Sequence, residues 1–154
     1  MSENKSSPFF VGEFPRPVDG AGRVTIPSQW RLKGEDARYL AIPLPDGTAR
    51  VLPPCRIQEL QEKVAEQAKL SDLDGHRALT AIFAKSDLLE CDKQGRVVLS
   101  ERIRGHVGIL KGKSPKAMLT GNLNTFTIWN SKNYADSGSL EDAALMANLA
   151  KLGV

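Results

Sequence analysis

"VDGAGRVTIPSQWR" at residues 18–31 and "CDKQGRVVLSERIR" at residues 91–104 align without a gap at an offset of 73. Asp19 meets Asp92, Gly22 meets Gly95, Arg23 meets Arg96, Val24 meets Val97, Ile26 meets Leu99 and Arg31 meets Arg104. Six matched positions in fourteen, with their chemistry retained, point to an internal duplication. Beyond this block the register slips by a few residues. "YLAIP" at 39–43 then corresponds to "AMLTG" at 117–121, and "ARVLPP" at 49–54 to "FTIWNS" at 126–131.

The shared skeleton is Asp-x-x-Gly-Arg. An Asp at the first position of a tight turn accepts hydrogen bonds from backbone N–H groups two or more residues on. A Gly three positions later supplies the positive φ that the bulge after a type I turn requires. The chain then reverses into a strand whose first side chain is an arginine, oriented by the carboxylate four residues earlier. A forked cation presented in this way suits phosphate oxygens or bidentate contact with guanine O6 and N7. One copy alone is a common hairpin turn with a solvated arginine; the duplication gives the pair its weight.

Seven short segments rich in Val, Ile, Leu and Thr, bounded by Gly, Pro, Asp or Asn, read as strands: "GRVTIP", "RYLAIPL", "TARVLP", "DLLECD", "GRVVLS", "KAMLTG" and "TFTIWN". Pro15 and Pro17 make any strand before the first turn a short one or an edge one. Helical periodicity places Ile57, Leu60, Val64 and Ala68 on one face of a helix over 55–70 that Pro53 and Pro54 start. Leu79, Ile82 and Phe83 form the stripe of a second helix near 74–86. Leu145, Leu149 and Leu152 form that of a C-terminal helix, with Ser139 and Asp142 at its start. These stripes are expected to be core or partner-helix contacts. The expected organisation is a disordered tail at 1–9, a first repeat at 10–57, a helical linker at 58–85, a second repeat at 86–130 and a helical segment at 131–154.

At 154 residues, with 41% hydrophobic and 25% charged residues, the chain has the size and composition of a soluble domain with its own core. No run approaches the roughly 20 apolar residues of a membrane span, and "MSENKSSPFF" lacks a signal peptide's apolar stretch, so a cytosolic protein is expected. Cys55 and Cys91 read as buried free thiols, and His76 and His106 as surface or loop histidines without metal-ligand spacing. No nucleophile elbow, Cys/His pair or paired carboxylates suggest catalysis. Gly-Lys-Ser at 112–114, followed by Pro115, reads as a basic hairpin loop rather than a phosphate loop. No enzyme activity, metal, cofactor, small-molecule substrate or membrane partner is therefore expected. Net charge is only +3, but it is segregated. Residues 15–34 carry four basic side chains against Asp19, and residues 93–116 carry seven against Glu101, which leaves the remainder acidic. Positive charge gathered on the two repeated blocks is the footprint of a phosphate-backbone partner.

The two spaced blocks, together with "LPPCRIQELQEKV" (52–64) and "NTFTIWNSKNY" (124–134), closely resemble the MraZ family over nearly the whole chain. That resemblance implies an α+β, mainly β fold: tandem SpoVT/AbrB-type swapped-hairpin repeats forming a pseudo-two-fold β-barrel with peripheral helices. It implies a sequence-specific transcriptional regulator of the division and cell-wall gene cluster, cytoplasmic and nucleoid-associated. Its expected partners are double-stranded promoter DNA with repeated boxes and other copies of itself in a ring. The family's Asp-x-x-x-Arg pattern makes Arg23 and Arg96 DNA contacts and gives the turns to Asp19 and Asp92, with Gly22 and Gly95 as the turn-stabilising glycines of the turn chemistry above. Local charge adds Arg16 and Lys93 as further DNA contacts. A non-enzymatic assembly scaffold whose basic hairpins bind an acidic protein is the alternative.

Overall fold

The computed structural model describes residues 9–32, 38–68, 73–110, 115–137 and 142–154. The chain is α+β and mainly β, with every strand pairing antiparallel. All seven expected strands form: β2 (Arg23–Thr25), β3 (Arg38–Pro43), β4 (Ala49–Leu52), β5 (Asp87–Glu90), β6 (Arg96–Val98), β7 (Lys116–Gly121) and β8 (Phe126–Asn130). An eighth, β1 (Glu13–Pro17), precedes the first turn and lies at a sheet edge, as its prolines require. Val18 donates its N–H to the Pro115 carbonyl at 3.0 Å. Alternation along the strand therefore turns the even positions toward β7 and the nitrogens of Pro15 and Pro17 outward.

Six strands form one sheet in the order β1-β7-β8-β4-β3-β5, and β2 pairs only with β6 in a separate two-stranded ribbon. Leu40 lies opposite Leu52 and Met118 opposite Trp129; Ala49 lies opposite Ile128 and Val51 opposite Phe126. These registers match the segment correspondences 39–43 with 117–121 and 49–54 with 126–131. The expected barrel is not closed. β1 and β5 end opposite sides of the six-stranded row, and the two short strands that would bridge them pair with each other instead.

One face of the sheet is apolar with the two-residue period of strands. Tyr39, Ala41, Ala49, Val51, Ala117, Leu119, Phe126 and Ile128 are all buried there. The ribbon covers this core with Val24 and Val97, helped by Ile26, Leu99, Ile103 and Val107. At its centre Phe126 packs 5.2 Å from Trp30, 5.4 Å from Phe10 and 5.9 Å from Tyr39, between ring centroids. The polar ends of these rings are satisfied: Trp30 Nε1 donates to the Val11 carbonyl at 3.3 Å and the Tyr39 hydroxyl to the Trp30 carbonyl at 3.1 Å.

Helices lie at the margins. α1 (Pro54–Ala68) starts at the expected proline and packs against β3 and against α2 (Leu73–Ala84). Ile57, Leu60, Val64, Leu79 and Phe83 are only half-buried and Ile82 is exposed, so neither stripe joins the core cluster. α5 (Asp142–Lys151) carries Leu145 and Leu149, and Leu152 follows it; all three are exposed. Its proposed start at Ser139 lies outside the described residues, as do residues 1–8 of the expected tail and Lys111 and Lys113 of the basic loop.

Two helices carry none of these stripes, the second of them within the helical segment expected at 131–154. α3 (Glu101–Val107) follows β6, and α4 (Ser131–Asp136) follows β8, capped by the Asn130 side chain on the Lys132 N–H at 2.9 Å. Both histidines sit on helices, His76 half-buried in α2 and His106 exposed at the surface on α3, as one of the two expected placements. Cys55 is exposed on α1, and Cys91, just beyond the end of β5, is half-buried against the core, so neither is the fully buried thiol expected.

Removing the central ring tests this packing. Phe126→Ala is expected to lower stability by about 3–5 kcal/mol, the range for truncating a buried aromatic, measured by urea unfolding against the parent chain.

Candidate nucleic-acid interface

Asp19 and Asp92 build two near-identical turns. In the first, Asp19 Oδ1 accepts from the N–H groups of Ala21 (3.0 Å) and Arg23 (2.8 Å), while Oδ2 accepts from Arg23 Nε at 2.6 Å. In the second, Asp92 Oδ1 accepts from Gln94 and Arg96, both at 2.9 Å, and Oδ2 from Arg96 Nε at 2.9 Å. Backbone bonds close each loop: Gly22 N–H to the Asp19 carbonyl at 2.9 Å, and Gly95 N–H to that of Asp92 at 3.0 Å. Gly22 and Gly95 hold φ of +81° and +80°, a region costly for residues with a Cβ.

Backbone and guanidinium donors on the same carboxylate hold both aspartates below the ordinary carboxylate range. The Arg23 N–H is the largest cause for Asp19, and the Arg96 N–H for Asp92. The ion pairs themselves are exposed, with Arg23 at 42% and Arg96 at 33%. Such pairs add little to stability, so their effect here is orientation. Each uses Nε, and among the described residues neither arginine's Nη groups have a protein partner. A guanidinium held by one edge keeps its other edge for an acceptor such as phosphate.

β2 and β6 then place the two arginines together. Arg23 lies opposite Val98 and Thr25 opposite Arg96, with Val24 and Val97 between them. Because Val24 and Val97 face the core, the four outer residues share the opposite, solvent-facing side of the ribbon. Arg23 and Arg96 therefore sit diagonally across one ribbon face, each above its own turn. Arg16 joins them from β1: its Nε donates to the Thr25 carbonyl at 3.2 Å and its guanidinium lies 5.4 Å over the Phe14 ring. Lys93 is exposed at the tip of the second turn, where the first has Gly20.

The two ends of the ribbon consequently differ. Thr25, opposite Arg96, brings Arg16 to the end that already holds Arg96 and Lys93. The other end presents Arg23 beside a tip of Gly20 and Ala21. No group of three or more His, Cys, Asp or Glu is placed to hold a metal ion among the described residues. No helix among them is long and apolar enough to cross a membrane.

Two further arginines belong to this site, and the sequence aligned them without revealing their task. Arg31 Nε donates to the Ile26 carbonyl and Arg104 Nε to the Leu99 carbonyl, both at 3.0 Å. Ile26 N–H donates to the Gly95 carbonyl at 2.8 Å and Leu99 N–H to that of Gly22 at 2.9 Å. Each arginine thus lies over the glycine of the other copy. A Cβ at Gly22 would lie 2.7 Å from Arg104 Nε, and one at Gly95 would collide with Nε and Cζ of Arg31. The equal spacing of nine residues from Gly22 to Arg31 and from Gly95 to Arg104 was the available signal.

The turn chemistry sets a pH dependence. The folded-state pKa of each aspartate is lowered, so its contribution to stability is present above the unfolded carboxylate range and is lost as pH falls through the folded value. Carbon-detected NMR titration is expected to give midpoints for Asp19 and Asp92 below the ordinary aspartate range, with the Gly22 and Gly95 amides shifting at the same pH.

Three known proteins similar to the chain share one description. The transcriptional regulator MraZ of Thermomicrobium roseum is 28% identical over 148 residues, covering 93% of this chain and 99% of the relative. That of Chlorobaculum parvum is 30% identical over 138 residues, 80% of each chain. That of Desulfitobacterium hafniense is 30% identical over 149 residues, 94% of this chain and 99% of its own. No protein-family model matches the chain. Identity at this level, sustained across nearly the full length of both partners, establishes that the chain belongs to the MraZ family of transcriptional regulators.

Proposed function

We propose that the chain is a sequence-specific DNA-binding regulator of transcription that reads DNA with the outer face of the β2–β6 ribbon. The observation that carries this reading is the pair of arginines on that face, each oriented by an aspartate through Nε. A two-stranded ribbon fits the major groove, and arginine is the commonest reader of guanine there. Family membership supports the regulatory role. Arg23 stands at an end with a small, uncharged tip and reads base edges. Arg96, Lys93 and Arg16 form the more cationic end and grip phosphate. Asp19, Gly22, Asp92 and Gly95 hold the turns and do not touch DNA.

The two halves are SpoVT/AbrB-type repeats with exchanged hairpins, a reading supported by the matching registers of β3 with β4 and β7 with β8. The target is the division and cell-wall gene cluster, approached on the nucleoid in the cytoplasm. Copies assemble as a ring on repeated promoter boxes. Linking several modest contacts on one particle raises effective concentration and selects repeated boxes over single ones.

Fluorescence anisotropy against DNA from the chain's own upstream region, with a scrambled control, tests the reading. Affinity is expected to fall steeply with salt, because phosphate contacts release counterions. Arg23→Ala is expected to remove the preference over scrambled DNA by about tenfold or more, the loss of one good bidentate contact. Arg96→Ala is expected to weaken binding to both DNAs and to flatten the salt slope. Equal binding of the parent chain to both DNAs would overturn sequence reading.

A further inference from the structure

We propose that Arg31 and Arg104 are positioning residues that act across the molecule, each fixing the arginine-bearing turn of the half to which it does not belong. The geometry is reciprocal. Ile26, one residue beyond β2, donates its N–H to Gly95 and accepts Arg31 Nε on its carbonyl. Leu99, one residue beyond β6, does the same with Gly22 and Arg104. Each glycine is therefore gripped twice from the opposite half, once through its carbonyl and once by a planar guanidinium covering its Cα.

This contact reaches the working end of the turn through few bonds. Gly95 is the residue before Arg96, and its N–H closes the loop on the Asp92 carbonyl. Asp92 in turn holds Arg96 through both its main chain and its Nε. If Gly95 rotates away, the Asp92 carboxylate loses the alignment of its donors and Arg96 loses its orientation. The same chain of contacts runs from Arg104 through Gly22 and Asp19 to Arg23. Glycine is required at both places by the cationic cover as well as by φ, which explains why the spacing from glycine to arginine is the same in both halves. Arginine suits the task where lysine would not, since a flat guanidinium can lie on a Cα while its Nε donates sideways.

The consequence is that neither arginine-bearing turn is complete within its own half. Each is finished by the other, so the two are coupled energetically as well as related by sequence. The consequence for DNA rests on the function proposed above; the crossing itself does not.

Two measurements on the full chain separate these. In the first, NMR follows the Arg31→Ala and Arg104→Ala variants. Arg31→Ala is expected to shift the amides of Gln94, Gly95 and Arg96, speed their hydrogen exchange and raise the Asp92 titration midpoint, while Ala21, Gly22, Arg23 and Asp19 keep their parent values. Arg104→Ala is expected to give the converse. Arg31→Lys and Arg104→Lys keep the fold if either alanine variant loses it, and are expected to show the same crossed pattern with smaller amplitude. A perturbation confined to a variant's own half, equal in both, or absent from both overturns the proposal. The second measurement is a double-substitution cycle in DNA affinity. Arg31→Ala is expected to weaken binding on the order of tenfold alone and in the Arg23→Ala background, but to have no further effect once Arg96 is alanine. Additivity with Arg96→Ala would make Arg31 a DNA contact in its own right and overturn the proposal. If the parent chain binds no DNA, the proposed function fails while the NMR pattern still decides the crossing.

Discussion

Register between β2 and β6 is the constraint on which the site depends. Each strand has three residues, too few to persist alone, and the pair is held because Val24 and Val97 close the core over the large sheet. Strand side chains alternate, so a one-residue slip of either strand would turn its arginine inward and expose its valine. Burying a guanidinium group without a partner is far costlier than the slip could recover. Apolar packing beneath the ribbon therefore decides that both arginines face solvent, and the Asp turns then decide how they are held.

The strands and the Asp-x-x-Gly-Arg turns were readable in the sequence because their signals are local. Alternating apolar residues bounded by turn residues located seven strands, and Pro15 and Pro17 identified the edge. What connects those pieces was not readable. That β2 ends beside Gly95, or that Arg31 covers it, follows only once the two halves pair, and no window of sequence spans 64 residues. Alignment at an offset of 73 marked Arg31 and Arg104 as equivalent but could not say that each acts on the other copy. The open sheet in place of a barrel is illegible for the same reason, since pairing of β2 with β6 rather than with β1 and β5 is a long-range choice.

One local difference between the two halves decides where a helix forms. Position 27 is proline and its counterpart at 100 is serine. Ser100 Oγ accepts from the Ile103 N–H at 3.2 Å, Glu101 follows in the first turn, and Gly108 ends the helix at φ +83°. These features start and stop α3 by ordinary capping. Pro27 offers no side-chain cap, and the first half makes only a single 3-10 turn at Ser28–Trp30 before extending at Arg31. Trp30 then enters the aromatic core where the second half has Ile103. The two halves differ in how they pack beneath the ribbon while keeping the same geometry above it.

The prolines of β1 also bear on how copies of this chain can meet. A strand at a sheet edge normally templates another by offering alternate N–H and carbonyl groups. Here the outward nitrogens at positions 15 and 17 carry no hydrogen, so a neighbouring strand would find acceptors there without donors. Indefinite growth by stacking the β5 edge of one molecule on the β1 edge of the next is blocked at the backbone. Any contact made along this edge falls to side chains rather than to a backbone ladder.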